Sequence, residues 1–200
     1  MPANNPRGLV PTRHLTGGSS FQTTFRSTRG ANLSVLRRGD PVYMDTSGGI
    51  QRALVATVAG QQWLGVIARL YNNNKRPLTF SLPAGTQTLA ASTSGFVEIY
   101  EDPDIVWTIH SSVSIGQSSI GLFGNIKFIN TGTAAGISSC ALDDVDFTAT
   151  SAGHPLKIVR VSPFDGPTSP GTPSDGNDIE VIITQHMWRS GVRRLVVTTT

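Results

Sequence analysis

The sequence predicts an all-β protein, a barrel or sandwich body with little or no helix, and three observations carry that prediction. The charged fraction is 14%, well below the ~25% of ordinary soluble chains. Gly, Thr, Ser, Ala and Val are abundant instead, a balance that suits pleated, half-buried surfaces. Short apolar runs recur at intervals of roughly ten residues with turn residues between them. Alternation with a period of two is clear at Val97-Ile99, Val106-Thr108 and Ile179-Val181-Ile183, and no stretch keeps a helical period for three turns. With 38% hydrophobic residues, the 200-residue chain can form one domain with appendages or two small lobes.

Residues 1–32 read as an extended arm. Pro2, Pro6 and Pro11 disfavour helix before them, and Gly17-Gly18-Ser19-Ser20 adds a joint. Phe21 and Phe25 are the arm's aromatics, either anchors for a neighbouring surface or side chains that pack back on the body. Strands are expected at 33–37, 42–45, 50–58, 63–70, 78–82, 95–101 and 104–110, then at 120–123, 125–130, 137–142, 156–161, 178–188 and 193–198. Turn signals separate them, among them Gly39-Asp40-Pro41, Ser47-Gly48-Gly49, Asn72-Asn73-Asn74 and Asp102-Pro103-Asp104. Residues 110–125 are Ser/Gly-rich, a long loop or one short helical turn. Residues 162–178 hold four prolines and three glycines, the composition of a loop projecting between two strands. These interruptions divide the body into a first β unit, 33–105, and a second, 106–200, which together form one domain or two.

Charge is distributed unevenly. The first 39 residues contain six arginines (Arg7, Arg13, Arg26, Arg29, Arg37, Arg38) and no acid, although the whole chain is only +3. Such a segment cannot bury enough apolar surface to fold alone, so it either stays loose or is ordered by something it lies on. Arginine without lysine suits bidentate pairing with carboxylates at a protein interface. Nucleic acid is the less favoured partner, because the arginines are widely spaced and no aromatic–basic stacking surface is evident in the body. Arg7, Arg13, Phe21, Phe25, Arg26 and Arg29 are therefore the candidate partner-binding residues of the arm. Arg189, Arg193 and Arg194, followed by Leu195-Val196-Val197, form a second candidate contact segment or close the barrel of their own subunit.

Motifs for catalysis or metal binding are not found. Gly116 to Gly121 has the glycine spacing of a phosphate loop, but Leu122 and Phe123 stand where Lys and Ser/Thr are required. No nucleophile elbow occurs. His14, His110, His154 and His186 lie far apart in sequence with no ligand-spaced partner, so structural histidines are expected. Asp143-Asp144-Val145-Asp146 and the Asp102/Asp104 pair read as solvated turns rather than calcium sites. Arg38-Gly39-Asp40 matches an adhesion tripeptide, which a turn leading into a strand explains, and Cys140 reads as a small buried apolar residue. Asn32-Leu33-Ser34 is a glycosylation sequon only in a secreted chain. There is no apolar run of transmembrane length and no signal-peptide core, so synthesis in the cytoplasm without membrane association is expected. No enzyme activity, cofactor or metal is expected.

From residue 36 to 110 the motifs run Arg38-Gly39-Asp40-Pro41-Val42-Tyr43, Ile50 to Val58, Trp63-Leu64-Gly65-Val66-Ile67-Ala68 and Gly95-Phe96-Val97-Glu98-Ile99-Tyr100. Later come Phe128-Ile129-Asn130-Thr131-Gly132, Pro155-Leu156-Lys157-Ile158-Val159 and Asp178-Ile179-Glu180-Val181-Ile182-Ile183. This order, over residues 33–188, resembles the head decoration (cement) proteins of tailed bacteriophages. The resemblance implies a small β-tulip-like barrel and a non-enzymatic virion protein, made in the host cytoplasm. It also implies binding to the major capsid protein on the outer head surface, stapling of neighbouring capsomers, and a homo-oligomer, a trimer being favoured. The arm would dock across the shell. Fully extended at ~3.3 Å per residue, it would reach on the order of 100 Å. One alternative is a receptor- or glycan-binding β module of a tail or fibre, which needs exposed aromatics. Trp63, Trp107 and Trp188 all sit in strand-like runs that suit a core. A second alternative is a virion protein that contacts nucleic acid through the basic arm.

Overall fold

The computed structural model describes residues 8–28, 34–53, 62–78, 88–111, 113, 115–128, 138–143, 147–151, 153–161 and 176–189. The all-β prediction holds: these residues form fourteen strands and one short 3-10 turn, Gln117–Ser119. One five-stranded sheet is made of β2 (Thr24–Ser27), β8 (Phe96–Tyr100), β6 (Gly65–Tyr71), β4 (Pro41–Met44) and β5 (Ile50–Arg52), in that order. The other is made of β1 (Val10–His14), β9 (Ile105–His110), β14 (Asp178–Ile183), β13 (Leu156–Val161) and β10 (Phe123–Gly124). Two-stranded ribbons pair β3 (Leu36–Arg37) with β7 (Thr88–Leu89) and β11 (Ile126–Phe128) with β12 (Cys140–Leu142). All these strand pairs are antiparallel.

Alternation along the strands explains the layering. In β6, Val66 faces a core shared with the second sheet, while Ile67 and Leu70 face a separate cluster beneath the β3–β7 ribbon. The shared core gathers Trp63 and Val66 with Trp107, Ile109, Ile158, Ile179 and Val181, so residues of both predicted β units pack together. Gly65 opens β6 because a Cβ there would lie 2.0 Å from the Tyr100 carbonyl oxygen on β8. Trp63 adds a backbone tie between the two halves: its N–H donates to the Gln185 carbonyl, and its own carbonyl accepts from Met187 N–H.

The N-terminal segment corrects the expectation of a separate arm. It is extended, as its prolines require, but within the described residues it is part of the body. β1 is the edge strand beside β9, and β2 is the edge strand beside β8. One stretch of chain therefore borders both large sheets. Among the described residues the other strands fall close to their predicted positions, except that β7 was not expected, the strand predicted at 120–123 is found as Phe123–Gly124, and the predicted strand at 178–188 ends at Ile183; residues 54–58 and 79–82 of two further predicted strands lie outside the described residues. Gln185 to Arg189 form a turn instead, closed by Arg189 N–H on the His186 carbonyl. The predicted strand at 193–198 and the loop residues 162–175 lie outside the described residues. The end of that loop is firmly built in: buried Asn177 accepts from Ile115 N–H and donates to the Ile115 carbonyl.

Candidate functional site

Two arginines of the N-terminal segment, Arg13 and Arg26, meet carboxylates of their own chain, where the sequence suggested acids on a neighbour. Arg13 Nη2 donates to Glu180 Oε2 at 2.9 Å. Arg26 grips Glu101 with a fork, Nε on Oε1 at 2.7 Å and Nη2 on Oε2 at 2.8 Å. That hydrogen bonding holds the Arg26 guanidinium above its ordinary pKa. Arg189 donates to Asp104 Oδ1 at 2.9 Å and to the Ile183 carbonyl. Arg7, Arg29, Arg193 and Arg194 lie outside the described residues. Arg26→Lys is expected to lower stability by about 1 kcal/mol, because an ammonium cannot form the fork. Arg13→Lys should cost less, since Arg13 makes one such bond and its side chain is 43% exposed. Urea denaturation of the two variants compares them.

The two phenylalanines behave differently. Phe21 packs back on the body, its ring 5.2 Å from His14 and 6.1 Å from Tyr100. Phe25 is 44% exposed. The register Ser27↔Phe96 and Tyr71↔Phe96 places β2, β8 and β6 side by side, and their outward aromatics gather into a knob. Phe25 stacks on Phe96 at 5.1 Å and 14°, and meets Tyr71 edge to face at 5.1 Å. Lys75 Nζ lies 5.5 Å from the centre of the Phe96 ring. Lys75 holds a left-handed backbone with φ of 57°, in a turn where Asn72 Oδ1 accepts from Asn74 and Arg76 N–H. Tyr71 donates its hydroxyl to Glu98 Oε1 at 2.6 Å, which raises the Tyr71 pKa, and Arg69 stands exposed beside the same carboxylate. The knob is a cluster of aromatic and basic side chains that the sequence reading did not single out. It went unseen because its members come from three separate strands.

At the other end of β8 the chain turns through Asp102-Pro103-Asp104. Asp102 Oδ1 accepts from Asp104 N–H, and Asp102 Oδ2 lies 3.3 Å from His14 Nδ1. The Asp104 carbonyl accepts from Leu15 N–H. A cleft here is lined by His14, Ser20, Gln22, Thr24, Glu101 and Asp102. Leu15 (42% exposed) is tied to this turn by its bond to Asp104, and Arg189 reaches Asp104 from the segment that carries the exposed Trp188. Trp63 and Trp107, by contrast, are core residues.

Other groups capable of chemistry are taken up in holding the fold. Asp40 is fully buried, which rules it out as part of an adhesion tripeptide on the surface. Its Oδ2 accepts from Arg37 N–H at 2.8 Å, while Oδ1 has no hydrogen-bond partner among the described residues. Burial pushes its pKa up to about 6, opposed by Ser138 and by the charges of Arg52 and Arg37. Cys140 is buried nearby, its thiol pushed up by burial and by Asp40. His186 is buried, with Nδ1 accepting from Trp188 N–H, and burial with the Arg189 charge lowers its pKa to about 4. His110 Nδ1 lies 3.2 Å from Asp178 Oδ1, and Lys127 pairs with Asp143. Among the described residues no three of His, Cys, Asp and Glu converge on a point that could hold a metal ion. No family model, curated protein or solved structure matches this chain.

Proposed function

We propose that this chain is a non-enzymatic structural protein of a bacteriophage particle, one that binds the outer surface of the assembled head and staples neighbouring capsomers. One contrast among the described residues carries the reading: Arg13, Arg26, Lys127 and Arg189 are taken up in internal ion pairs, whereas Phe25 stands exposed in a cation-flanked aromatic knob on an all-β body. Surfaces of that kind bind other proteins. The motif order over residues 33–188 supplies the particle, and the major capsid protein is the partner it implies. Repeated weak contacts on a symmetric shell would sum to firm attachment. The N-terminal segment contributes to such a contact as part of the body, because its strands border both sheets. The test is co-sedimentation of the full chain with assembled shells of its own virus. Saturable binding at a fixed ratio to capsid subunits is expected, and a chain that stays in the supernatant at every concentration overturns the reading.

A second reading, a glycan-binding module of a tail or fibre, draws on the same exposed aromatics. The packing of the rings favours it less. Phe25 lies against both Phe96 and Tyr71, and Phe96 already has a ring and an ammonium upon it. Sugars and nucleic-acid bases both need open ring faces.

A further inference from the structure

We propose that His14 is a proton-operated clasp: as the imidazolium it pins the crossover 16–23 against the Asp102-Pro103-Asp104 turn, and as the neutral ring it releases that crossover. His14 Nε2 lies 2.8 Å from the Ser20 carbonyl oxygen, and Nδ1 lies 3.3 Å from Asp102 Oδ2. A carbonyl and a carboxylate both accept, and neither donates. A neutral imidazole has one N–H and one lone pair, so in either tautomer one ring nitrogen turns its lone pair on an oxygen. The imidazolium has two N–H groups and satisfies both oxygens, the one on Asp102 through a charge-assisted bond. The closed arrangement is complete only with the proton in place, so closure and protonation favour each other.

The ring stands where such a bond has leverage. His14 ends β1, the edge of one large sheet, and Thr24 opens β2, the edge of the other. The chain between them bends at once: Gly17 N–H donates to the His14 carbonyl, and His14 N–H donates to the Gly18 carbonyl. Gly17 and Gly18 take φ of 91° and 95°, with open space where each Cβ would stand, which gives the crossover a hinge. Leu15 N–H on the Asp104 carbonyl anchors that hinge in both states, since the His14 ring takes no part in the bond. Beyond the hinge, Ser20 and Gln22 line the cleft with Glu101 and Asp102, so opening the crossover widens it.

The other charged groups around the ring are occupied. Glu101 is held in the Arg26 fork, Arg13 lies on Glu180 of β14, and Asp104 accepts from Arg189. Phe21 packs on the His14 ring and Tyr100 on Phe21. His186, on the far side of Asp102 and Asp104, is buried, and its pKa is lowered to about 4. Asp102 is the carboxylate that meets His14, while its Oδ1 accepts from Asp104 N–H. The clasp does not rest on the particle reading and operates whatever the chain binds.

Residue-resolved hydrogen exchange of the full chain tests it, with rates corrected for the intrinsic effect of pH. Protection of the His14 and Gly17 amides is expected to fall about tenfold between about pH 5 and about pH 8, in step with the NMR titration of the His14 ring. Amides of β9 and β14 serve as the reference for opening of the whole body. His14→Gln should show the same protection at both ends of that range. Asp102→Asn keeps an oxygen for Asp104 N–H and offers the ring an amide N–H that the neutral imidazole can accept. Its crossover should therefore stay closed at the upper end. Wild-type protection that is equal at both ends, relative to the reference, overturns the proposal. So does an Asp102→Asn chain that opens as the wild type does, or a His14→Gln chain that keeps the wild-type response.

Discussion

Asp40→Asn is expected to make stability rise with pH between about pH 4 and 6.5, whereas His186→Gln is expected to make it fall between about pH 4 and 6. Both follow from two buried groups whose shifts oppose each other. Asp40 moves from 3.8 to about 6, so between those values the folded state holds a proton that the unfolded chain has lost. Its contribution is therefore complete at low pH and is lost as pH rises through about 6. His186 moves from 6.5 to about 4, so in the same range the unfolded chain holds the extra proton. Its contribution is complete above pH 6.5 and is lost as pH falls through about 4. Each span amounts to about 3 kcal/mol at 1.36 kcal/mol per pKa unit. In the wild type the two slopes largely cancel, and either substitution exposes the other. At pH 8 Asp40→Asn should also gain about 2–3 kcal/mol, because the buried carboxylate is then ionised at a cost. Urea midpoints of the three proteins from pH 4 to 8 measure this. Parallel pH profiles for all three would show that neither group is shifted in this way.

The β-strands were legible because alternation and turn residues are local signals. β8, β9, β13 and β14 each carry apolar residues at every second position or in short runs bounded by Gly, Pro or Asp. The place of the N-terminal segment was not legible. Its composition shows that it cannot fold alone, but not whether it stays loose or which surface orders it. Arg26 finds its acid 75 residues away and Arg13 finds its acid 167 residues away, so only the folded chain reveals that the partner is the chain itself. The knob was hidden for the same reason. Phe25 alone is an aromatic in a polar stretch, and it becomes a surface feature only when antiparallel register sets Phe96 and Tyr71 beside it. Asp40 shows a third limit. The Gly39-Asp40-Pro41 turn was readable, yet nothing in those residues tells that Ser138 and Cys140 close over the carboxylate.

Trp63→Ala is expected to cost about 3–5 kcal/mol, while Trp188→Ala should change stability by less than about 1 kcal/mol. The sequence places both in runs of similar character, and burial separates them: Trp63 is 0% exposed and Trp188 46%. Trp63 fills the core shared by the two large sheets, and its backbone pairs with Gln185 and Met187, so a cavity there loosens contacts between both halves of the sandwich. One atom refines the expectation. The Trp63 indole Nε1 is buried without a hydrogen-bond partner among the described residues. A buried unpaired donor costs about 1–3 kcal/mol. Trp63→Phe removes that donor while keeping most of the apolar volume, so it should fall close to neutral, against the usual penalty for shrinking a core aromatic. Equilibrium urea unfolding of the three variants provides the comparison. A Trp63→Phe loss as large as that of Trp63→Ala would mean that the indole nitrogen is paired in solution and that the bond helps join the sheets.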